Sequence, residues 1–290
     1  MMILFITSNR LGDAVLSTGL LDYLIRRYPD AQITIVCGPV AEGVFARMPN
    51  RERTIVLRKM KWGLHWIPLW ADASTYVWDL VLDIRGSALS WLVPTHNRAV
   101  FRRIAGPKIA QLGSILGLSP PPAPVAWTSE LDRDRVAALL PADRLIVVLA
   151  PTANWAPKVW PAERFAAAFH LLSGPDTVPV ILGGPGPAEQ EMAAPLLAAL
   201  PAAIDLVGRL TLPEVVACLQ RARLFIGNDS GLMHVSAAAG APTIGLFGPT
   251  DAATYAPTGR LAAAVVGSSM AAITVDQVVK AAERLLDETT

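Results

Sequence analysis

Four short stretches of this 290-residue chain set polar side chains and glycines where an apolar run gives way to a helical pattern. The first is Thr7-Ser8-Asn9-Arg10-Leu11-Gly12-Asp13. Gly12 permits close backbone approach, and Asp13 stands at a helix start. That carboxylate reads in two ways: as an N-cap taking backbone N–H groups, worth about 1 kcal/mol, or as a cleft group available as a general base. The spacing is not GxGxxG, so a nicotinamide-dependent dehydrogenase loses its main support. The second stretch, Pro151 to Pro161, offers hydrogen-bonding groups on Thr152 and Asn154 and a compact cation, Lys158, suited to phosphate. The alternative is an ordinary loop with an exposed lysine.

The third stretch is Gly183-Gly184-Pro185-Gly186-Pro187-Ala188-Glu189. Its glycines let a ligand approach the backbone, and Glu189 is either a ribose-hydroxyl acceptor or a solvated side chain on a plain turn. The fourth runs Gly227-Asn228-Asp229-Ser230-Gly231-Leu232-Met233-His234 and continues to Gly248-Pro249-Thr250-Asp251. Ser230 and Gly231 sit at a helix N-terminus, where free amides and the helix dipole favour an anion such as pyrophosphate. Asp229 suits sugar hydroxyls better than phosphate. His234, one turn into the helix, is a ligand contact or a satisfied core histidine, and Thr250 adds a second small donor-bearing loop at the same edge.

These loops need strands to position them. Apolar runs at Ile3–Thr7, Gln32–Cys37, Arg53–Leu57, Asp79–Ile84 and Ala99–Ile104 alternate with helical stretches such as Asp13–Tyr28. Strand, helix and strand in about 35 residues make a βαβ unit and a parallel sheet. The proline-rich run from Leu118 to Pro124 breaks the pattern. Alternation restarts with strands at Leu145–Ala150, Val178–Gly183, Ile204–Val207, Leu224–Gly227 and Thr243–Phe247, and helices at Pro161–Leu172, Ala188–Leu200, Leu212–Ala222, Leu232–Ala239 and Val275–Leu286. The expected fold class is α/β, with two Rossmann-like doubly wound domains over residues 1–140 and 141–290. The last helix, about 274–288, belongs to the second or packs back on the first.

A mean hydropathy of +0.41 raises the question of a membrane span, but no apolar run approaches the roughly 18 residues required. Met1 to Thr7 lacks a basic leader and reads as a buried strand, not a secretion signal. A net charge of +1 gives no global field for nucleic acid. Four histidines without close His/Cys spacing give no zinc motif, and Cys37 and Cys218 lie in apolar segments suited to packing. Three of eight tryptophans and two lysines (Lys59, Lys61) fall between Lys59 and Trp70. This segment either caps a sheet edge or presents rings and cations to a bilayer or an amphiphilic acceptor.

The motifs resemble those of the ADP-heptose:lipopolysaccharide heptosyltransferases, glycosyltransferase family nine. The matching pieces, in the family's order, are Arg10–Asp13, Trp78–Gly86, Lys158–Pro161 and Asp229–His234 through Asp251. The resemblance implies a GT-B fold, its two domains facing across a cleft, with the acceptor in the first and the nucleotide-sugar in the second. It implies inverting, metal-independent transfer of a heptose-like sugar from an ADP-sugar to a lipopolysaccharide-core acceptor, with no cofactor beyond that co-substrate. Asp13 becomes the general base and Lys158 the leaving-group cation. Thr152 and Asn154 stand beside Lys158, Glu189 meets ribose, Asp229 holds the sugar, and Ser230, Gly231, His234 and Thr250 complete the donor site. Lys59, Lys61, Arg98, Arg102 and Arg103 meet an anionic acceptor or form a solvated face. The location implied is cytoplasmic, peripheral at the inner face of the inner membrane. A GT-B-shaped nucleotide-sugar epimerase or hydrolase and a non-catalytic nucleotide-sugar binding module are the competing readings.

Overall fold

A computed structural model of the chain describes every residue except Lys59, Thr289 and Thr290. It divides into two compact units, Met1–Trp127 and Thr128–Thr290. The first contains β1 (Met2–Ile6), α1 (Leu11–Leu16), α2 (Thr18–Arg27), β2 (Gln32–Cys37), β3 (Arg51–Val56), α3 (Trp66–Ala73), β4 (Trp78–Asp83), α4 (Leu89–Leu92), β5 (Thr95–Val100) and α5 (Lys108–Gly113). Its five strands are all parallel in the order β3-β2-β1-β4-β5. β1 and β2 carry near-continuous apolar sequence because helices cover both faces of such a sheet.

The second unit contains α6 (Glu130–Ala137), β6 (Leu145–Ala150), α7 (Ala162–Leu172), β7 (Thr177–Ile181), α8 (Pro187–Ala199), β8 (Ile204–Asp205), α9 (Leu212–Gln220), β9 (Ala222–Asn228), α10 (Gly231–Ala239), β10 (Thr243–Phe247), α11 (Ala252–Tyr255), β11 (Ala262–Val266) and α12 (Val275–Asp287). Six parallel strands run β11-β10-β9-β6-β7-β8. In each unit the order reverses at one switch point, between β1 and β4 in the first and between β6 and β9 in the second. Loops leaving neighbouring strands there diverge and open a crevice at their carboxyl ends.

The division falls ahead of residue 140 for a packing reason. The proline-rich run is not a free linker: the Val125 amide donates to Thr18 Oγ1 at 2.9 Å, and a Cβ on Gly19 would collide with the carbonyls of Pro122 and Ala123. α6, opened by a Ser129–Asp132 capping box, packs on α9 and pairs Arg135 with Glu214 at 2.8 Å. It therefore belongs to the second unit. α12 lies on α7, β10 and β11, and its Val278, Ala282 and Leu285 join the core of that same unit.

Three expectations need correction. The helix expected over Asp13–Tyr28 is two helices, parted at Ser17, whose hydroxyl donates to the Ala14 carbonyl at 2.7 Å and meets Thr7 Oγ1 at 3.2 Å. Such back-bonding competes with the helix ladder. The strand expected at Ala99–Ile104 starts earlier, at Thr95, on the sheet edge where polar residues are tolerated. β11 was not anticipated.

Cys37 and Cys218 are buried free thiols, as their apolar surroundings suggest. Burial pushes each up to about 12, so neither is a thiolate near neutrality. Folded protein at pH 8 should leave a thiol-reactive chromogen unreacted until denaturant is added, and rapid labelling of the native chain would contradict this packing.

Candidate active site

In the second unit the switch point joins two loops. Lys158 ends a single helical turn (Ala156–Lys158) on the loop after β6, and Asp229 follows β9. The Lys158 ammonium donates to Asp229 Oδ2 at 2.7 Å, and their side chains are only 19% and 12% exposed. A pair this shielded is stronger than a surface ion pair, and removing one partner leaves the other charge uncompensated. Asn228, fully buried at the end of β9, fixes the approach: its Nδ2 donates to the Pro151 carbonyl at 2.8 Å and its Oδ1 accepts from the Trp160 amide at 3.1 Å. One side chain thus grips both ends of the loop that carries Lys158. Trp160 then buries its ring against Phe165 and donates Nε1 to the Ile273 carbonyl at 3.1 Å.

α10 begins immediately after this pair. Ser230 is its N-cap residue but makes no side-chain cap bond, and its hydroxyl is buried without a partner among the described residues. The Thr250 hydroxyl, on the loop following β10, is in the same condition. β9 and β10 are hydrogen-bonded neighbours, and the Asp229 amide donates to the Leu246 carbonyl, so the two loops leave from one edge. Buried hydroxyls seldom go unpaired. Ser230 lies where α10 directs unsatisfied amides and the positive end of its dipole. His234 is buried one turn along α10.

Beside this lies a cavity of about 590 Å³ bordered by Asn154, Trp155, Val159, Ala188, Glu189 and Met192. Glu189 Oε2 accepts from the Gly184 amide at 2.9 Å, which braces the glycine turn and leaves its other oxygen available. Thr152 is buried and its methyl faces Gly183, where an added Cβ would crowd it.

In the first unit Asp13 lies in the first turn of α1, whose N-cap is Arg10, so it is not the capping residue. Ser8 Oγ donates to its Oδ2 at 3.3 Å. Burial lowers the pKa of Lys108, and the Asp13 carboxylate opposes that shift, which puts a cation in reach of this carboxylate's field. Asp83, at the end of β4, accepts from the Arg85 and Gly86 amides through Oδ1 and from the Ser87 amide and hydroxyl through Oδ2, at 2.6 to 3.1 Å. The loop so fixed lets Arg85 donate to Asn9 Oδ1 at 3.3 Å across the β1–β4 switch point. Among the acceptor-side candidates, Arg98 is committed to the Ser90 carbonyl and the face of Trp91, whereas Lys61, Arg102 and Arg103 are exposed. Lys59 lies outside the described residues.

The model of glycosyltransferase family 9 (heptosyltransferase) matches residues 79–282. This chain belongs to that family. Lipooligosaccharide heptosyltransferase 2 of Haemophilus influenzae is 24% identical over 297 residues, covering 87% of this chain and 84% of that one. Lipopolysaccharide heptosyltransferase 3 of Escherichia coli is 35% identical over 107 residues, so this chain spans about a third (32%) of that relative's length. The solved E. coli heptosyltransferase WaaC with ADP-2-deoxy-2-fluoro heptose superposes with a TM-score of 0.73 at 21% identity, covering 100% of both chains. The two parallel sheets are the GT-B architecture of these family 9 structures.

Within this family 9 chain, the structure unites Lys158, Asp229 and Ser230 and sets Glu189 and Asn154 on the adjoining cavity. Sequence reasoning passed over two residues, Asn228 and Asp83, because they act on loops through backbone partners far away in the chain. A strand ending in Asn or Asp before a glycine-bearing loop is the signal that was available. Asn228→Ala leaves a buried amide and a buried carbonyl unpaired, and should cost roughly 2–4 kcal/mol. Urea unfolding reads this directly, and an unmoved midpoint would reject the bridging role.

Proposed function

We propose that this family 9 glycosyltransferase moves a heptose-like sugar from an ADP-sugar to a lipopolysaccharide-core acceptor, with inversion and without a metal ion. The observation that carries the reading is the Lys158–Asp229 pair at the switch point, together with two buried hydroxyls unpartnered among the described residues, Ser230 at the start of α10 and Thr250 on the loop after β10. The ADP-sugar analogue named with the solved relative supports the donor class.

Each residue then has a task its surroundings favour. A departing diphosphate accumulates charge, and preorganised cations and helix amides stabilise it best in a site shielded from water. Lys158 supplies the cation, while Ser230, Gly231 and Thr250 supply donors. Asp229 accepts from the sugar hydroxyls, Glu189 from ribose, and the cavity beside Asn154 and Trp155 takes the base. Thr152 backs the same wall, and His234 supports α10 from within. Asp13 takes the proton of the acceptor hydroxyl as that oxygen bonds to the anomeric carbon and the bond to the diphosphate breaks. Attack opposite the leaving group inverts the centre. Lys61, Arg102 and Arg103, with Arg98 and Lys59, meet the anionic acceptor, which is presented at the cytoplasmic face of the inner membrane.

Asp13→Ala should lower transfer by roughly 10²- to 10⁴-fold with ADP affinity retained. Lys158→Ala should lower it by roughly 10²- to 10³-fold and weaken ADP binding as well. Coupled assays and calorimetry separate the two, and wild-type turnover in the Asp13 variant would remove the base assignment. Exhaustive chelation should leave the rate unchanged; loss restored by one added metal would overturn the metal-free mechanism. Donor consumption at full rate without any acceptor would instead favour a hydrolase.

A further inference from the structure

Asp13 is the third residue of α1, a position that ordinarily settles what a carboxylate does. An acidic or amide side chain there folds back to accept a hydrogen bond from the N-cap amide. Three helices of the second unit follow this rule. Asp132 Oδ2 accepts from the Ser129 amide at 2.9 Å in α6, Glu214 Oε2 from the Thr211 amide at 2.7 Å in α9, and Gln277 Oε1 from the Thr274 amide at 2.9 Å in α12. A side chain used in this way is a clasp on its own helix. α1 departs from the pattern. Its N-cap amide, that of Arg10, donates to Ser8 Oγ at 3.1 Å, and the Ser8 hydroxyl donates in turn to Asp13 Oδ2 at 3.3 Å.

Ser8 is therefore inserted between the amide and the carboxylate that would otherwise meet. A hydroxyl has one proton to give, and the amide arriving at its lone pair turns that proton toward Asp13. Among the described residues no donor reaches the other carboxylate oxygen, Oδ1. The residues on either side hold Ser8 in place. Thr7 is buried, and its amide donates to the Val36 carbonyl at 2.8 Å. Asn9 accepts from Arg85 and abuts Gly38, where an added Cβ would lie 2.8 Å from both Asn9 Cβ and Oδ1. Ser8 itself is only half-buried, so the fold asks little of its side chain.

We propose that Ser8 is a positioning residue for the base: it occupies the amide that would otherwise capture Asp13 and leaves Oδ1 to take the proton of the acceptor hydroxyl. The inference rests on the reading of Asp13 as the base and extends it to the residue that keeps that carboxylate free. Without the Ser8 hydroxyl, the Arg10 amide closes on Asp13 as the Ser129 amide closes on Asp132 in α6. For Ser8→Ala, kcat with ADP-heptose and a lipopolysaccharide-core acceptor should fall about 10- to 100-fold. KM for the donor, ADP affinity by calorimetry and the thermal midpoint should stay close to wild type. Ser8→Thr keeps the hydroxyl and should restore the rate, whereas a role in packing would respond to size. Added to Asp13→Ala, the Ser8→Ala change should cost nothing more, because both act through one carboxylate. Wild-type kcat in Ser8→Ala, a Ser8→Thr enzyme equally slow, or a full further loss in the Asp13→Ala background overturns the proposal. Turnover surviving in Asp13→Ala removes the base reading and this inference with it; its loss there beside an unaffected Ser8→Ala variant defeats this inference alone.

Discussion

Where a parallel sheet reverses its strand order, two neighbouring strands send their loops in opposite directions, and the gap between them must be held open and shaped. In the second unit that gap lies between β6 and β9, and Asn228 spans it. Everything chemical there depends on the grip. Lys158 is held at Asp229 because the segment carrying it is tied at Pro151 and Trp160, and Trp160 is in turn locked by Phe165 and the Ile273 carbonyl. A flexible lysine on a free loop would lose its rotamer entropy on meeting a ligand; one already aligned by neighbours does not.

The first unit solves the same geometric problem with different residues. Asp83 gathers the amides of Arg85, Gly86 and Ser87, and Arg85 reaches Asn9 across the β1–β4 gap. One unit places a partly buried ion pair and unpaired hydroxyls at its crevice; the other places a carboxylate, Asp13, with a lysine in range. A single architecture thereby presents two different sets of side chains, because the sheet fixes only where loops meet and the loops decide what is offered.

The strand-and-helix alternation was readable because buried parallel strands are apolar throughout, and β2, β6 and β10 fall at their expected bounds. The departures have causes. β11 is Ala-rich, a composition that suggests helix, and only pairing with β10 makes it a strand. α6 has little apolar patterning, and its place is set by α9 and Glu214. At the site, the loops and their reactive residue types were legible from glycine and polar spacing. The partner of Lys158 lies 71 residues away, and no local rule yields it. Whether Asp13 caps α1 could not be read from sequence, since that turns on which residue begins the helix.

The Lys158–Asp229 bond has a bearing on selectivity. An anion arriving alone can claim the ammonium only by depriving a shielded carboxylate of its counter-charge, so the attraction it gains is offset by the one it breaks. A molecule that offers hydroxyls to Asp229 while presenting phosphate to Lys158 satisfies both groups at once. For the donor proposed above, the ion pair would work as a coincidence gate: free diphosphate or an isolated sugar would meet resistance, and a molecule joining the two would open it.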